Sequence, residues 1–159
     1  MTPQDGFSVE RLERAFPVEL NALIAEALAE GDDFMSGLAE HARTADDLDA
    51  EEGRFVGWAA DRLAGVASIT ADPYVTDGLT GRLRWIYVRP VFRGRGLGER
   101  LVRACLDYGA GRWQRIRLHT ENPIAERIYL RFGFVALGGT SPRATHERSS
   151  GQAQRDGNG

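Results

Sequence analysis

The stretch Val88-Arg-Pro-Val-Phe-Arg-Gly-Arg-Gly-Leu-Gly98 constrains this chain more than any other. It lies between an apolar run, Leu83–Val88, and a segment in which Leu97, Leu101, Ala104, Cys105 and Tyr108 recur on one helical face. A strand therefore feeds a helix through three alternating glycines, Gly94, Gly96 and Gly98. With no Cβ in the way, backbone there can approach a ligand closely. The first turn of the helix adds unpaired N–H groups and the positive end of its dipole. Together they make a concavity for a phosphate or diphosphate, with Arg93 and Arg95 as charge-assisted donors at its rim. The spacing departs from the dinucleotide-binding fingerprint, because G-x-G-x-G is followed by Glu99 and lies past mid-chain. A purely structural tight turn is the competing reading.

Composition removes other phosphate-binding solutions. All 20 basic residues among the 159 are Arg, and lysine is absent. That excludes a Walker A loop, Schiff-base chemistry and a kinase-type ATP-pairing Lys. One cysteine, Cys105, excludes an intramolecular disulfide framework and a Cys-cluster zinc site, and the three scattered histidines suggest no metal. Residues 1–80 carry 17 Asp and Glu against 5 Arg, and residues 81–159 carry 6 against 15, so the net −3 hides halves of −12 and +9. No apolar run is long enough for a membrane span, and the N-terminus lacks the layout of a signal peptide. A soluble, cytoplasmic, bacterial protein is expected, with neither membrane nor nucleic acid as partner; the arginines form no single stripe interleaved with aromatics.

The rest of the chain supplies the layers. Phe7 and Val9 alternate with polar residues as a short strand. Pro17 opens a helix with Leu20, Leu23, Ile24, Ala27 and Leu28 on one face, closed by Gly31. Residues 33–43 form a weaker helix, and the acidic run Asp46–Glu52 reads as a solvated loop. Arg54–Ala60 and Leu63–Thr70 make a hairpin turning at Asp61–Arg62. Beyond the glycine turn, Ile116–Thr120 is a strand, and Asn122–Pro123 caps a helix with Ala125, Ile128 and Phe132 inward. Phe134–Leu137 is a further strand and Ala144–Arg148 a last edge strand. The expected fold is α/β with a mixed sheet and helices on both faces, residues 1–148 as one domain and residues 149–159 as a disordered tail.

A second constellation, Asn122-x-x-Ala125-x-x-x-Tyr129-x-x-x-Gly133-Phe134, stands about thirty residues after the glycine turn. The two motifs, in this order and spacing, resemble the GNAT superfamily of acyl-CoA-dependent N-acyltransferases. Arg93-Gly-Arg-Gly96-Leu-Gly98 matches the family's Arg/Gln-x-x-Gly-x-Gly/Ala turn, and Val88-x-Pro90 and the hairpin VGWAADRLAGVASI look like its neighbouring strands. The resemblance is strong over residues 54–137 and looser over 1–53. It implies a mostly antiparallel sheet splayed in the middle, with acetyl-CoA in a V-shaped gap between the strands ending at Val88 and Thr120. The pantetheine arm would pair with backbone of Ile86, Tyr87 and Val88. The diphosphate would rest on N–H groups of Gly94, Arg95, Gly96, Leu97, Gly98 and Glu99, and Asn122 would reach the arm. Tyr129 would act as general acid toward the leaving thiolate. The Val88 N–H would serve as oxyanion donor.

The implied reaction is direct acetyl transfer from acetyl-CoA to the primary amine of a small molecule or protein, with no metal. An ammonium has no lone pair, so a base must take its proton. The strand 83–88 offers no carboxylate. His119 and Glu121, on one side of the next strand by alternation, are the candidates, with Asp72 a looser option and water the alternative. His41 and His146 stand in weaker contexts, and Cys105 reads as packing. The missing strand carboxylate also keeps open a non-catalytic CoA-sensing or partner-binding module of the same fold. A homodimer through a strand edge or the helices is compatible with the resemblance.

Overall fold

The computed structural model describes residues 6–13, 15–44 and 52–150. Among these, the elements follow the order read from the sequence: β1 (Phe7–Arg11), α1 (Leu20–Ala29), α2 (Met35–Thr44), β2 (Gly53–Ala59), β3 (Arg62–Ala71), β4 (Thr80–Val88), α3 (Leu97–Gly109), β5 (Arg115–Leu118), α4 (Pro123–Arg131), β6 (Val135–Ala136) and β7 (His146–Ser149). The strands form one mixed sheet in the order β1-β2-β3-β4-β5-β7-β6. β1 pairs antiparallel with β2, β4 parallel with β5, and β7 antiparallel with both β5 and β6. By internal contacts the chain forms two compact units. One comprises residues up to Ser68 together with Trp85–Cys105; the other comprises Ile69–Arg84 and the residues from Leu106 on.

In the first unit the apolar stripe of α1 packs with α2 and the hairpin. Leu20, Leu23, Ile24, Ala27, Met35, Leu38, Val56, Leu63, Val66 and Tyr87 form one buried cluster. Leu28, expected on that face, is exposed, because eight residues take it about 80° round the helix from Leu20. Pro17 does not begin α1; it begins a single turn closed by Leu20 N–H on its carbonyl (3.0 Å), and the helix starts at Leu20. The hairpin turns at Ala60–Asp61, one residue earlier than expected, with Ala60 at φ 55°. Most of the acidic run lies outside the described residues, but Glu52 at its end is buried rather than solvated. Cys105 is wholly buried, and that burial pushes its thiol pKa up, as befits packing.

In the second unit the expected edge strand proves to be internal. β7 lies between β5 and β6, and the two-residue β6 takes the edge. β6 is shorter than the apolar run around it. At one end the Phe134 N–H is spent on the Tyr129 carbonyl (3.1 Å), and at the other the chain turns through Gly138 and Gly139, both at positive φ. Ser149 pairs with Arg115, and the Ser150 N–H donates to the Gln114 carbonyl (2.9 Å), so the ordered chain runs past the expected start of the tail; residues 151–159 lie outside the described residues. In α4 it is Tyr129 that is buried, while Ala125, Ile128 and Phe132 are half-buried.

Glycine sets the closest packing of this unit. A Cβ at Gly81 would lie 2.6 Å from Trp113 Cδ2 and Cε3 and 3.0 Å from Ile116 Cδ1. Both neighbours are buried and must move to admit a methyl. Gly81→Ala should therefore cost about 1–3 kcal/mol of stability, read as a lower urea midpoint at unchanged slope. A midpoint equal to the parent's would show that the ring relaxes freely.

Candidate functional site

β4 carries the first part of the candidate site. The Asp72 N–H donates to the Thr80 carbonyl at one end of β3–β4, and the Arg89 N–H to the Ala64 carbonyl at the other (2.9 Å each). Successive peptides alternate between the two edges of a strand. The Val88 N–H and carbonyl therefore face away from β3, and the Val88 carbonyl accepts there from Arg93 Nε (2.8 Å). The parallel ladder with β5 runs over Thr80–Arg82 against Arg115–Arg117. Three residues on, Trp85 adopts φ 52°, a left-handed conformation that a large side chain rarely takes and that costs energy.

After β4 the chain makes a 3-10 turn over Pro90–Phe92, where proline's fixed φ suits the position and its missing N–H costs nothing. Phe92 anchors that turn edge-on against Phe7, their ring centroids 6.0 Å apart. Gly94 (φ 80°) and Gly96 (φ 87°) follow in conformations that favour glycine, and a Cβ on either would meet no heavy atom within 4 Å. Leu97, buried against Gly57 and Gly65, fixes the start of α3. The result is an open backbone turn leading to the N-terminus of a 13-residue helix, an arrangement whose N–H groups suit an anion.

The arginines of the turn behave otherwise than their sequence positions suggest. Arg93 places NH1 and NH2 at 2.9 and 2.7 Å from the Glu30 carboxylate and lies over the Tyr87 ring. Arg95 lies over the Phe7 ring, 4.5 Å from its centroid. Each guanidinium thus has a partner within the unit. The Tyr87 hydroxyl also donates to Glu30. Hydrogen bonds from Arg93, then from Tyr87, hold the Glu30 carboxyl below its ordinary pKa, while burial and the Glu30 charge raise the Tyr87 phenol.

The second unit holds the other sequence motif. Asn122 Oδ1 caps α4 by accepting from the Ile124 and Ala125 N–H groups (2.9 and 3.4 Å), so its oxygen is committed to the helix and its amide NH2 is the part offered outward. Tyr129, 8% exposed, meets Phe134 edge-on at 5.8 Å. His119 and Glu121 are brought near each other, but Nε2 and Oε1 stand 3.6 Å apart, too far for a hydrogen bond, and the Glu121 side chain is 82% exposed. Asp72 is buried, its Oδ1 taken by the Tyr74 N–H (2.7 Å) and its Oδ2 facing Arg82 NH1 at 3.5 Å. His146 bridges Thr145 and Glu126, at 2.8 Å from each.

A cluster that the sequence reading passed over lies in the first unit. Glu52 and Arg54 are 3% and 1% exposed, and Arg54 Nε donates to Glu52 Oε1 (3.0 Å). His41 Nε2 is 2.8 and 3.0 Å from the two Glu52 oxygens, and its ring lies 5.1 Å from that of Trp85. The available signal was the Glu52-x-Arg54 spacing, which puts both side chains on one face of a strand. Among the described residues no group of three or more His, Cys, Asp or Glu is placed to hold a metal, and no helix is long and apolar enough to cross a membrane.

A mycothiol acetyltransferase of Streptosporangium roseum is 36% identical over 89 residues, 56% of this chain and 25% of that protein. The N-alpha-acetyltransferase RimI of Mycobacterium tuberculosis is 38% identical over 53 residues, 33% of this chain and 34% of that protein. The chain thus spans about a quarter to a third of the length of these curated relatives. Among solved structures, one from Exiguobacterium sp. 255-15 superposes with a TM-score of 0.83 at 21% identity, covering 96% of this chain and 99% of that one. An acetyltransferase of the GNAT family from Streptococcus pneumoniae gives 0.67 at 20% identity, covering 90% and 98%. These likenesses show a shared fold. The family model for the acetyltransferase (GNAT) family matches residues 20–134, across both the glycine turn and the Asn122–Phe134 segment, and the chain belongs to that family.

Proposed function

We propose that this protein transfers the acetyl group of acetyl-CoA to a primary amine. The observation that carries the proposal is the open main-chain turn at Gly94–Gly98, whose two positive-φ glycines and helix N-terminus suit a diphosphate without any lysine. When bound, acetyl-CoA supplies an activated thioester. Backbone N–H groups of residues 94–99 hold its diphosphate, and backbone of Ile86, Tyr87 and Val88 pairs with its pantetheine arm. The Val88 N–H, on the edge of β4 turned away from β3, donates to the thioester oxygen as negative charge develops there. Asn122 contributes its amide NH2 to the arm, and the Tyr129 phenol supplies the proton that the departing thiolate needs. An amine acceptor agrees with the N-alpha-acetyltransferase among the relatives, and the bacterial relatives support a bacterial origin.

Two substitutions separate binding from turnover. Gly96→Ala forces an L side chain into φ 87°; strain of about 1–3 kcal/mol should raise the acetyl-CoA dissociation constant roughly tenfold, measured by isothermal titration. Unchanged affinity would remove the turn from the site. Tyr129→Phe should leave that affinity within about twofold and lower kcat by about 10²–10⁴, measured by free-thiol release with amine panels. Equal turnover would take Tyr129 out of the mechanism. Tight CoA binding by the parent with no turnover on any amine would identify a CoA-binding module instead of an enzyme.

A further inference from the structure

A transferase acting on an amine needs a proton acceptor, and β4 carries no carboxylate between Leu83 and Val88. The cluster against Trp85 meets that need. Trp85 is the strained residue of β4 and stands one residue before the Ile86–Val88 backbone assigned above to the cofactor arm. His41, on α2, lies against its indole with centroids 5.1 Å apart and ring planes 31° apart. The His41 side chain is 31% exposed, whereas the Glu52 carboxylate behind it is 3% exposed and hydrogen-bonded to Nε2 through both oxygens. Burying a carboxylate is costly unless it is paired, and Arg54 supplies the pairing. Arg54 is itself covered by the Phe16 ring, 4.9 Å from its CZ, and its NH2 is left without a hydrogen-bond partner. A buried arginine with an unmet donor and a buried glutamate carry a desolvation cost, and apolar residues of similar size would avoid it. What the pair achieves is to hold one histidine in one orientation and one tautomer beside the strained residue of β4.

We propose that His41 is the general base for the acceptor amine, with Glu52 and Arg54 as positioning residues; this rests on the acetyl-transfer reading above. An ionised carboxylate only accepts hydrogen bonds, so Nε2 carries the proton donated to Glu52, and Nδ1 is the nitrogen that takes the proton of the substrate. The acceptor enters as an ammonium, and one N–H proton passes to His41 Nδ1. The nitrogen lone pair then attacks the acetyl carbonyl carbon, an N–C bond forms, and the carbonyl π pair moves to oxygen beside the Val88 N–H. Collapse breaks the C–S bond. The sulfur leaves with the bonding pair and gains a proton from Tyr129, which is replenished by the second proton lost from nitrogen. His41 returns its proton to water. The balance is one ammonium and one acetyl thioester giving one amide, one thiol and one released proton. Among the described residues Glu52 faces the ring, and Arg54 stands behind it. The contrast with His119 is geometric: the Glu121 carboxylate beside it is 3.6 Å away and 82% exposed.

The test uses the full chain with acetyl-CoA and three amines: spermidine, glucosamine and a tripeptide with a free N-terminus. His41→Gln should keep the thermal midpoint and the acetyl-CoA dissociation constant of the parent, lower kcat about 10²–10⁴-fold with the fastest of the three amines, and remove the acidic limb of the kcat/KM profile. Glu52→Gln should keep acetyl-CoA affinity and shift that limb. In the protein without acetyl-CoA, ¹⁵N spectra of the His41 ring should show Nε2 protonated and Nδ1 unprotonated in the neutral form, with the preference weakened in Glu52→Gln. Parent-like kcat and pH profile in His41→Gln, the opposite tautomer, or a loss found only in His119→Gln would each overturn the assignment. Absence of acetyl-CoA binding or of turnover by the parent with all three amines would overturn the acetyl-transfer reading and this assignment with it. An effect of His41→Gln on a parent that does turn over speaks to the base alone.

Discussion

Two carboxylates one turn apart, Glu26 on α1 and Glu30 at its C-cap, meet side chains from the end of β4 and the residues after it. Glu26 receives Arg89 through Nε and NH2 (3.0 and 2.9 Å), and Glu30 receives Arg93 through two nitrogens together with the Tyr87 hydroxyl. Exposed ion pairs taken singly are worth little. Each of these engages two arginine nitrogens, and they act on a stretch that backbone hydrogen bonds and the buried Phe92 also hold. Arg93 completes the network by donating back to the Val88 carbonyl. The network thus adds to the restraints on how the chain leaves the strand. It also neutralises the guanidinium that stood nearest to that turn in sequence.

The charge asymmetry of the chain takes its meaning from the same pairing. The asymmetry is reduced but not erased in the two units, which carry net charges of −6 and +3. Within the first unit, Glu26 and Glu30 meet Arg89 and Arg93. Within the second, Asp72 and Asp77 meet Arg82 and Arg115. Several carboxylates contributed before residue 80 are thus paired with arginines contributed after it inside each unit. At these pairs a separation along the sequence becomes contact in the fold.

Element order and type were legible because period and punctuation agree: the α1 stripe, the hairpin, Pro90, the glycine turn and the Asn122–Pro123 cap each have a local cause. What escaped depended on partners distant in sequence. The place of β7 inside the sheet is decided by which strands flank it, and a four-residue run says nothing about that. Leu28 looked like part of a stripe that had already turned away. The backbone part of the candidate site was legible, because glycines at positive φ announce themselves. The fates of its side chains were not. Arg93 and Arg95 looked like anion donors until Glu30 and Phe7 were seen beside them, and Glu52 looked solvated because it ends an acidic run. Burial of a charge is invisible in sequence unless its partner is already known.

An anion cradle made of main chain depends on φ values at two glycines rather than on the identity of any basic side chain, so arginines of the turn are left to stabilise the fold. Oxyanion stabilisation by the Val88 N–H would likewise draw on strand geometry alone. On this reading cofactor recognition is written in backbone conformation, which few substitutions can disturb. Proton transfer, by contrast, must be written in side chains, because no main-chain group titrates in the useful range. His41 lies on α2, Arg54 on β2 and Glu52 just before it, all outside the glycine turn. Acceptor chemistry can then change by altering the N-terminal helices and the strand after them, while the turn after β4 stays as it is.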